Sequence, residues 1–414
     1  MKETRFKDTE IGRIPEDWGT IPLGKLCEFR NGYTPSKNIK GYWENGTIPW
    51  FRMEDLREHG RILEDAIQHV TNDAIKGELF SPYSIIMSTT ATIGEHALII
   101  ADSLANQRFT NFSIRKSLNN IVDTMWFYWY CYKIGEWCRD NIHEGGLAAV
   151  NMVDLAKLII PIPPLSEQTR IASALTSIDN LISSLDKLIE KKKAIKEGTM
   201  QQLLTGKKRL KGFNDPWVEK ELGSVCSIFG RIGFRGYTKA DLVEKHQGAI
   251  TYSPSDIHNQ ILDNSNCDYI SYEKYEESPE IKVYNGDILF CKTASIGKCA
   301  IVMNLLEKAT INPQFVVLKD FKCNNVFLYY ILAFSDFQDR IKLITGGSTI
   351  PTMSQEKMKR LKIFLPNNEE QNQISNLLTS MDQELQSLEA KRNKYIKTKQ
   401  GMMQQLLTGR IRLA

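Results

Sequence analysis

The 414-residue chain contains no run of 18 apolar residues, and its opening segment MKETRFKDTEIGR has no apolar core. Neither a membrane span nor a secretion signal is offered, and the expected compartment is the cytoplasm. Paired cysteine is missing too: Cys27, Cys131, Cys138, Cys226, Cys267, Cys291, Cys299 and Cys323 include no C-x-x-C and no spacing of a secreted disulfide framework. Reduced, mostly buried thiols are the expectation. The six histidines (His59, His69, His96, His143, His246, His258) form no H-x-x-x-H and no Cys/His cluster, so no metal site is expected. A G-x-x-x-x-G-K-[ST] phosphate loop is absent, because Gly206-Lys207 and Gly297-Lys298 lack both the partner glycine and the hydroxyl residue. Charge of one sign is also scarce. The 53 Lys and Arg are nearly balanced by 49 Asp and Glu, so a polyanionic partner would have to be met by local patches.

What is present is an ordinary folding composition, 42% apolar and 25% charged, in a chain long enough for two or three domains. It is one unit written twice. Residues 167–206 match residues 370–409 without a gap at a constant offset of 203, with 19 identities in 40 positions, and both copies end in MQQLLTG. At residue frequencies of roughly 5 to 7%, chance supplies about two or three, so the halves descend from a duplicated ancestor. Weaker similarity precedes each copy. Trp18, Leu23-Gly24 and Cys27 answer Trp217, Leu222-Gly223 and Cys226, and Thr90-Ala91-Thr92-Ile93-Gly94 answers Thr293-Ala294-Ser295-Ile296-Gly297. Tyr128, Arg139 and Gly145-Gly146 answer Tyr329, Arg340 and Gly346-Gly347.

Each repeat reads as a globular lobe followed by a long helix. In the lobes, runs such as residues 83–87 and 287–290, punctuated by Gly, Pro and Asn, predict strands and turns. The aromatic stretch 126–132 and its counterpart 327–332 predict a core-packing helix in preference to a base-stacking platform. In the first long helix Ile171, Leu175, Ile178, Ile182, Leu185 and Ile189 step by 4, 3, 4, 3 and 4, with Ala174, Leu181, Leu188 and Ile195 as a flanking line. That spacing is a coiled-coil seam. The second helix repeats it with Ile374, Leu378, Met381, Leu385, Leu388, Tyr395, Met402 and Leu406, interrupted by Arg392 and Lys399. Glu167-Gln168 after Pro163-Pro164 marks a helix start, Gly206 and Gly409 the stops. Lys191-Lys192-Lys193 is expected to be a solvated coil face. Two copies pairing about a pseudo-twofold axis make the helices antiparallel, with Ile178, Ile182 and Leu185 expected to meet Met381, Leu385 and Leu388. The overall class is α+β: two mixed α/β lobes joined by two long antiparallel coiled-coil helices.

This layout of lobe, P-x-P-P-L-S-E-Q helix start (Pro161 to Gln168), QQLLTG ending, second lobe and second such helix resembles the specificity subunits of type I restriction-modification systems, over almost the whole chain. Phe364-Leu365-Pro366-Asn367-Asn368 departs from the pattern by lacking the extra prolines at the second helix start. The resemblance implies target-recognition domains at residues 1–162 and 211–365, with spacer helices at 163–210 and 366–414. It implies that each lobe reads one half of a bipartite site in double-stranded DNA, and that the helical regions bind two methyltransferase subunits, with motor-nuclease subunits joining the assembly. It implies a subunit without catalysis or cofactor of its own, in an adenine-N6 methylating and DNA-cleaving complex that uses S-adenosylmethionine, ATP and Mg through other subunits. At roughly 1.5 Å per residue, about 39 residues give a rod of roughly 58 Å. Half-sites one turn apart, about 34 to 36 Å, fit within it, so the coil is expected to act as a ruler.

Catalytic motifs fail on inspection. Asn312-Pro313-Gln314-Phe315 approaches the N-P-P-[FY] of amino-methyltransferases, but Gln314 replaces the second proline, and Asn106-Gln107-Arg108-Phe109 stands at the equivalent place in the first lobe. Glu280-Ile281-Lys282 resembles half of a nuclease site without an upstream acid. Base and phosphate contacts favour Arg, Lys, Ser, Thr, Asn and Gln on loops. The candidates are Lys37, Arg52, Arg57, Thr89, Thr90 and Arg108 in the first lobe, and Arg231, Arg235, Ser253, Lys292, Thr293, Ser348 and Thr349 in the second. The alternatives are a coiled-coil scaffold joining two protein-binding lobes, and an adenine methyltransferase acting alone. Salt-dependent DNA binding separates the first from a DNA reader, and methyl transfer by the isolated chain identifies the second.

Overall fold

The computed structural model describes residues 5–143, 148–258, 260–345 and 351–413. They form two compact units, Met1–Asp186 with Ala390–Ala414, and Lys187–Glu389. Each unit thus takes one lobe and a part of both long helices, so the division cuts across the helices instead of falling at their ends.

In the first lobe a five-stranded sheet has the order Cys27–Asn31, Phe109–Ile114, Ser84–Ser88, His96–Ile99, Ile62–Leu63. Every residue of Ser84–Ser88 is buried, which is what a continuous apolar run requires of a strand covered on both faces. Ile85 and Met87 point toward helix Thr124–Asp140 and pack with Trp126, Phe127 and Trp129, while Ile86 lies in a second cluster with Phe51, Ala97 and Phe109. A smaller sheet, Leu104–Ala105, Ile48–Phe51 and His69–Val70, covers that second face. The aromatic stretch is therefore core, as its amphipathic context predicts.

The second lobe repeats this plan. Its four-stranded sheet runs Ser227–Gly230, Phe315–Lys319, Ile288–Cys291, Cys299–Ile301. Ile288 and Phe290 face Phe327 and Leu328 of helix Asn325–Ala333, while Leu289 and Cys291 face Ile250 and Tyr252. The one long aromatic helix of the first lobe becomes two here, Asn325–Ala333 and Ser335–Thr345, separated at Phe334. All eight cysteines are free, seven of them buried, and burial pushes the thiols of Cys138, Cys226, Cys267 and Cys299 up to about 12. They are unreactive near neutral pH.

The long helices are Leu165–Leu203 and Asn368–Leu406. Their starts and ends are core elements of the lobes: Ile171 and Leu175 join Leu406 and Leu407 in the first unit's core, and Ile374 and Leu378 join Met200, Leu203 and Leu204 in the second's. The helices run antiparallel in both units. In the first, Asp179 pairs with Lys399 and Asp186 with Arg392. In the second, Lys196 pairs with Asp382, Lys192 with Glu384 at 2.7 Å and Lys193 with Glu389 at 3.0 Å. The two residues that interrupt the apolar pattern, Arg392 and Lys399, are thus interhelical cations, and two of the three lysines at 191–193 bridge helices instead of only being solvated. The Lys399 ammonium also lies 4.7 Å from the Trp129 ring centre, and that of Lys196 lies 5.7 Å from Tyr330.

This register corrects one expectation. Ile178, Ile182 and Leu185 face the stretch near residues 392–400, and Met381, Leu385 and Leu388 face the stretch near 190–197, so the two sets do not all meet. Equivalent positions of antiparallel copies coincide only near the helix middle, and every step away from it separates them. Along these helices Ile171, Leu175, Ile178, Leu185, Ile189, Ile374, Leu378 and Leu385 are buried, and Ile182, Met381, Leu388 and Tyr395 are half-buried. The flanking Leu181, Leu188 and Ile195 stay 38%, 38% and 45% exposed. Among the described residues no helix is long and apolar enough to cross a membrane.

Both helix starts are built by their Glu-Gln pairs. Gln168 accepts from the backbone N–H of Asp123 and donates to the carbonyls of Ile121 and Pro163, and Gln371 accepts from Asn324 and donates to Pro366. Asp123 and Asn324 are in turn the N-caps of the aromatic helices, so each glutamine fastens the long helix to its lobe. At the second start Asn367 takes over from the missing prolines, its side chain accepting from the N–H of Glu370 at 3.0 Å. Gly206 and Gly409, both with φ of +68°, supply the left-handed C-caps that the repeated LLTG ending requires.

Candidate nucleic-acid interface

The same small frame occurs in both lobes. In the first, the side chain of Asn106 accepts from the N–H of Arg108 at 3.0 Å, closing the turn Asn106–Phe109. The N–H of Asn106 donates to Phe51 at 3.0 Å, which holds the turn against the end of a strand, and the N–H of Thr89 donates to Arg108 at 3.0 Å. Asn312, Gln314, Tyr252 and Lys292 repeat the pattern, with bonds of 3.0 Å from Gln314 to Asn312, 2.9 Å from Asn312 to Tyr252 and 2.8 Å from Lys292 to Gln314. Next to each turn, Arg52 or Ser253 gives its N–H at 2.6 Å to an aspartate three residues on, Asp55 or Asp256. The adjoining loops carry Ala91 and Ala294 at φ of +62° and +63°, a left-handed conformation that alanine takes only when the surrounding structure imposes it. The lobes therefore coincide here in backbone, bond by bond, while their side chains differ.

The candidates divide into groups turned outward and groups committed inward. Lys37, Arg57 and Arg108 are exposed. Arg57 lines a cavity of about 540 Å³ together with Arg61, Thr92 and Arg139. Arg61 there is paired with Glu95. Arg52 is half-buried, lies 5.8 Å over the Trp50 ring and pairs with Glu54 at 3.9 Å. Thr89 is buried, its hydroxyl 3.0 Å from that of Thr110, and Thr90 is half-buried beside it. In the second lobe Lys292 and Thr293 are half-buried, and burial pulls the Lys292 ammonium below the ordinary lysine pKa. Among the described residues neither the Arg108 guanidinium nor the Lys292 ammonium has a hydrogen-bond or ion-pair partner. Ser253 is a helix cap, its hydroxyl donating to Asp256 at 2.9 Å. Arg235 is half-buried and lies 3.7 Å from Glu280.

Arg231 differs from its expectation as an exposed loop residue. It is 6% exposed and donates to the carbonyls of Ile311 and Arg235 and to Thr310, which ties its guanidinium to the lobe interior. Ser348, Thr349 and the Gly145-Gly146 and Gly346-Gly347 pairs lie outside the described residues. Gln314 was passed over in the sequence as the residue that spoils a methyltransferase motif. Its place in the frame, half-exposed and opposite Lys292, is legible only once the strands are paired. Among the described residues no group of His, Cys, Asp and Glu could hold a metal ion.

The comparisons with known proteins agree with this architecture. The family model for the type I restriction modification DNA specificity domain matches twice, at residues 15–197 and 214–398. The chain is 26% identical over its whole length, and over 98% of the relative, to the putative type I restriction enzyme MjaX specificity subunit of Methanocaldococcus jannaschii. It is 44% identical over 164 residues to the EcoprrI specificity subunit of Escherichia coli, a match spanning 39% of this chain and 40% of that one. The fold is similar to the type I S subunit from M. genitalium, with a TM-score of 0.60 at 15% identity, covering 94% of this chain and 96% of that one. A chain from a structure describing complex assembly and conformational transition of the type I R-M system gives a TM-score of 0.59 at 17% identity, covering 96% and 99%.

The duplicated lobe-and-helix chain and the two family matches define the class of protein together. The chain belongs to the type I restriction-modification DNA specificity family, as a non-catalytic sequence-specificity subunit.

Proposed function

We propose that each lobe reads one half of a bipartite DNA site, through the loops around Asn106–Phe109 in the first and Asn312–Phe315 in the second. The observation that carries this is the repeated frame, which holds on opposite sides of the same backbone rung a cation without a partner among the described residues, Arg108 in one lobe and Lys292 in the other. Lys37, Arg57, Thr90 and Thr293 flank these turns as phosphate or base contacts, and Ser348 and Thr349 remain candidates from the sequence alone. The domains act as residues 1–162 and 211–365 on spacer helices 163–210 and 366–414.

The helices have two further proposed tasks. Their length, 39 residues each and so roughly 58 Å, sets the distance between half-sites. Their exposed apolar positions, Leu181, Leu188 and Ile195, belong to the surface on which two methyltransferase subunits dock. Adenine methylation and cleavage then reside in the partner methyltransferase and motor-nuclease subunits, which use S-adenosylmethionine, ATP and Mg. The test is binding of duplex DNA by the chain with its methyltransferase subunits across a salt series, joined to sequencing of the sites they methylate. A log-log salt slope near −0.9 per phosphate contact and a two-part methylated motif are the expected results. Binding indifferent to salt, with no motif, overturns the reading in favour of a protein scaffold.

A further inference from the structure

Between the two lobes the frame is constant and one pair of side chains is not. In the first lobe the rung from the N–H of Thr89 to the carbonyl of Arg108 sets a short, inward-bonded hydroxyl opposite an exposed guanidinium. In the second, the rung from Lys292 to Gln314 sets an ammonium opposite a half-exposed carboxamide, whose oxygen already accepts from the Asn312 side chain at 3.1 Å. The cation has changed sides. Around it the backbone hydrogen bonds agree to within 0.2 Å, the following alanines share the same φ within a degree, and the carbonyls of Thr89 and Lys292 accept in turn from Val150 at 3.0 Å and Met353 at 2.8 Å. A frame this well conserved within one chain, presenting different donors and acceptors at equivalent points, has the form of a holder with exchangeable readers.

Resting on the reading that the lobes bind DNA, we propose that the rung carries the principal base-reading side chains of each lobe: Arg108, seated opposite Thr89, for one half-site, and Lys292 with Gln314 for the other. The chemistry names what each recognises. Arg108 offers parallel N–H donors that fit the O6 and N7 acceptors of guanine, with the Thr89 hydroxyl serving to seat the rung. Gln314 has a free amide donor and a second acceptor lone pair, the match for adenine N7 and N6, while Lys292 supplies a donor to a guanine or to a phosphate beside it. Arg231 and Ser253, whose polar groups are taken up by the lobe itself, hold the frame and do not choose the base.

The experiment uses the full chain co-expressed with its methyltransferase subunits, and reads methylated motifs by genome-wide methylation sequencing. The variant Lys292→Thr with Gln314→Arg gives the second lobe the first lobe's rung. It is expected to change the preferred base by about 10-fold or more at one or two positions of one half-site, leaving the other half-site and the spacer as they were. Arg108→Gln is expected to change only the opposite half-site. Both wild-type half-sites persisting in both variants overturns the proposal. Where a variant methylates nothing, binding to oligonucleotides randomised in one half-site decides: lost discrimination with an unchanged salt slope supports base reading. Uniformly weaker binding with the slope reduced by about one shows a phosphate contact and overturns it. Failure of the underlying DNA reading is separate, since the unaltered complex would then yield no motif.

Discussion

Arg412 donates two hydrogen bonds of 2.7 Å to the carboxylate of Glu167, a residue 245 positions earlier and 3% exposed at its side chain. Arg209 grips Glu370 in the same bidentate way at 2.7 and 2.6 Å. An arginine six residues past the end of each long helix therefore locks the first turn of the other, within one compact unit. The clamps are not quite equal. Glu167 also accepts from the Trp18 indole at 2.9 Å, and Arg412 bonds Asp17, holding that carboxyl below its usual pKa, whereas the Trp217 indole N–H has no hydrogen-bond partner among the described residues.

Removing Arg412 leaves the Glu167 carboxylate in the first unit's interior with only the Trp18 indole N–H and a long bond of 3.4 Å from the Leu413 N–H. Breaking one partner of such a buried pair costs about 3 to 5 kcal/mol. Arg412→Ala is expected to lower the melting transition of the first unit and leave that of the second in place, as followed by calorimetry with limited proteolysis. Arg412→Met combined with Glu167→Met should recover most of the loss. Equal shifts in both transitions would show that the clamp is not local.

The first lobe should also be the more acid-labile. His96 is 1% exposed, its ring packed edge-on against Tyr132 at 4.5 Å and its Nε2 without a partner, and burial pulls its pKa down to about 4 from 6.5. Between those values the unfolded chain takes up a proton that the folded chain refuses, so stability is fully present above about pH 6.5 and falls as pH drops toward 4. The loss is roughly 3 to 4 kcal/mol at most, from 1.36 kcal/mol per pKa unit. The repeat places Cys299 at the equivalent position of the second lobe. A pH series of thermal melts should show the first transition dropping between pH 6.5 and 4 in the native chain and holding in His96→Phe. A parallel drop in that variant would assign the effect to other groups.

Seam and flank should respond differently to truncation. Leu175 and Leu378 are fully buried, and Leu→Ala at either is expected to cost about 2 to 5 kcal/mol. Leu181→Ala, at a position 38% exposed, should change the stability of the isolated chain by about 0.5 kcal/mol or less. Chemical denaturation measures both. Comparable losses at Leu181 and Leu175 would mean that the flanking line is buried in solution.

Lengthening the coil tests the ruler. Seven residues preserve the seam's phase and extend a helix by roughly 10 Å, about three base pairs at roughly 3.4 Å each. Because Asp186 pairs with Arg392, matched insertions belong directly after Asp186 and directly before Arg392. Methylation sequencing is expected to show both half-site sequences retained and the spacer between them widened, or methylation lost. An unchanged spacer at full activity would remove the helices from the role of ruler.

The duplication, the two long helices with their buried seam, the glycine stops and the free thiols were all determined by local sequence: each depends on residue spacing along one element, which periodicity and identity record directly. The aromatic stretch was legible as a core helix for the same reason. Tertiary structure alone decided the partners. Glu167 and Gln168 read in sequence as a helix start, yet their work is to bind Arg412 and the cap of another helix, groups that spacing cannot reveal. Arg392 and Lys399 looked like flaws in a seam until the antiparallel register supplied Asp186 and Asp179. The rung that joins Thr89 to Arg108 and Lys292 to Gln314 is a hydrogen bond between separate strands, so no one-dimensional pattern carries it, and Gln314, dismissed as a broken motif, gained its place only when folding set it opposite a lysine.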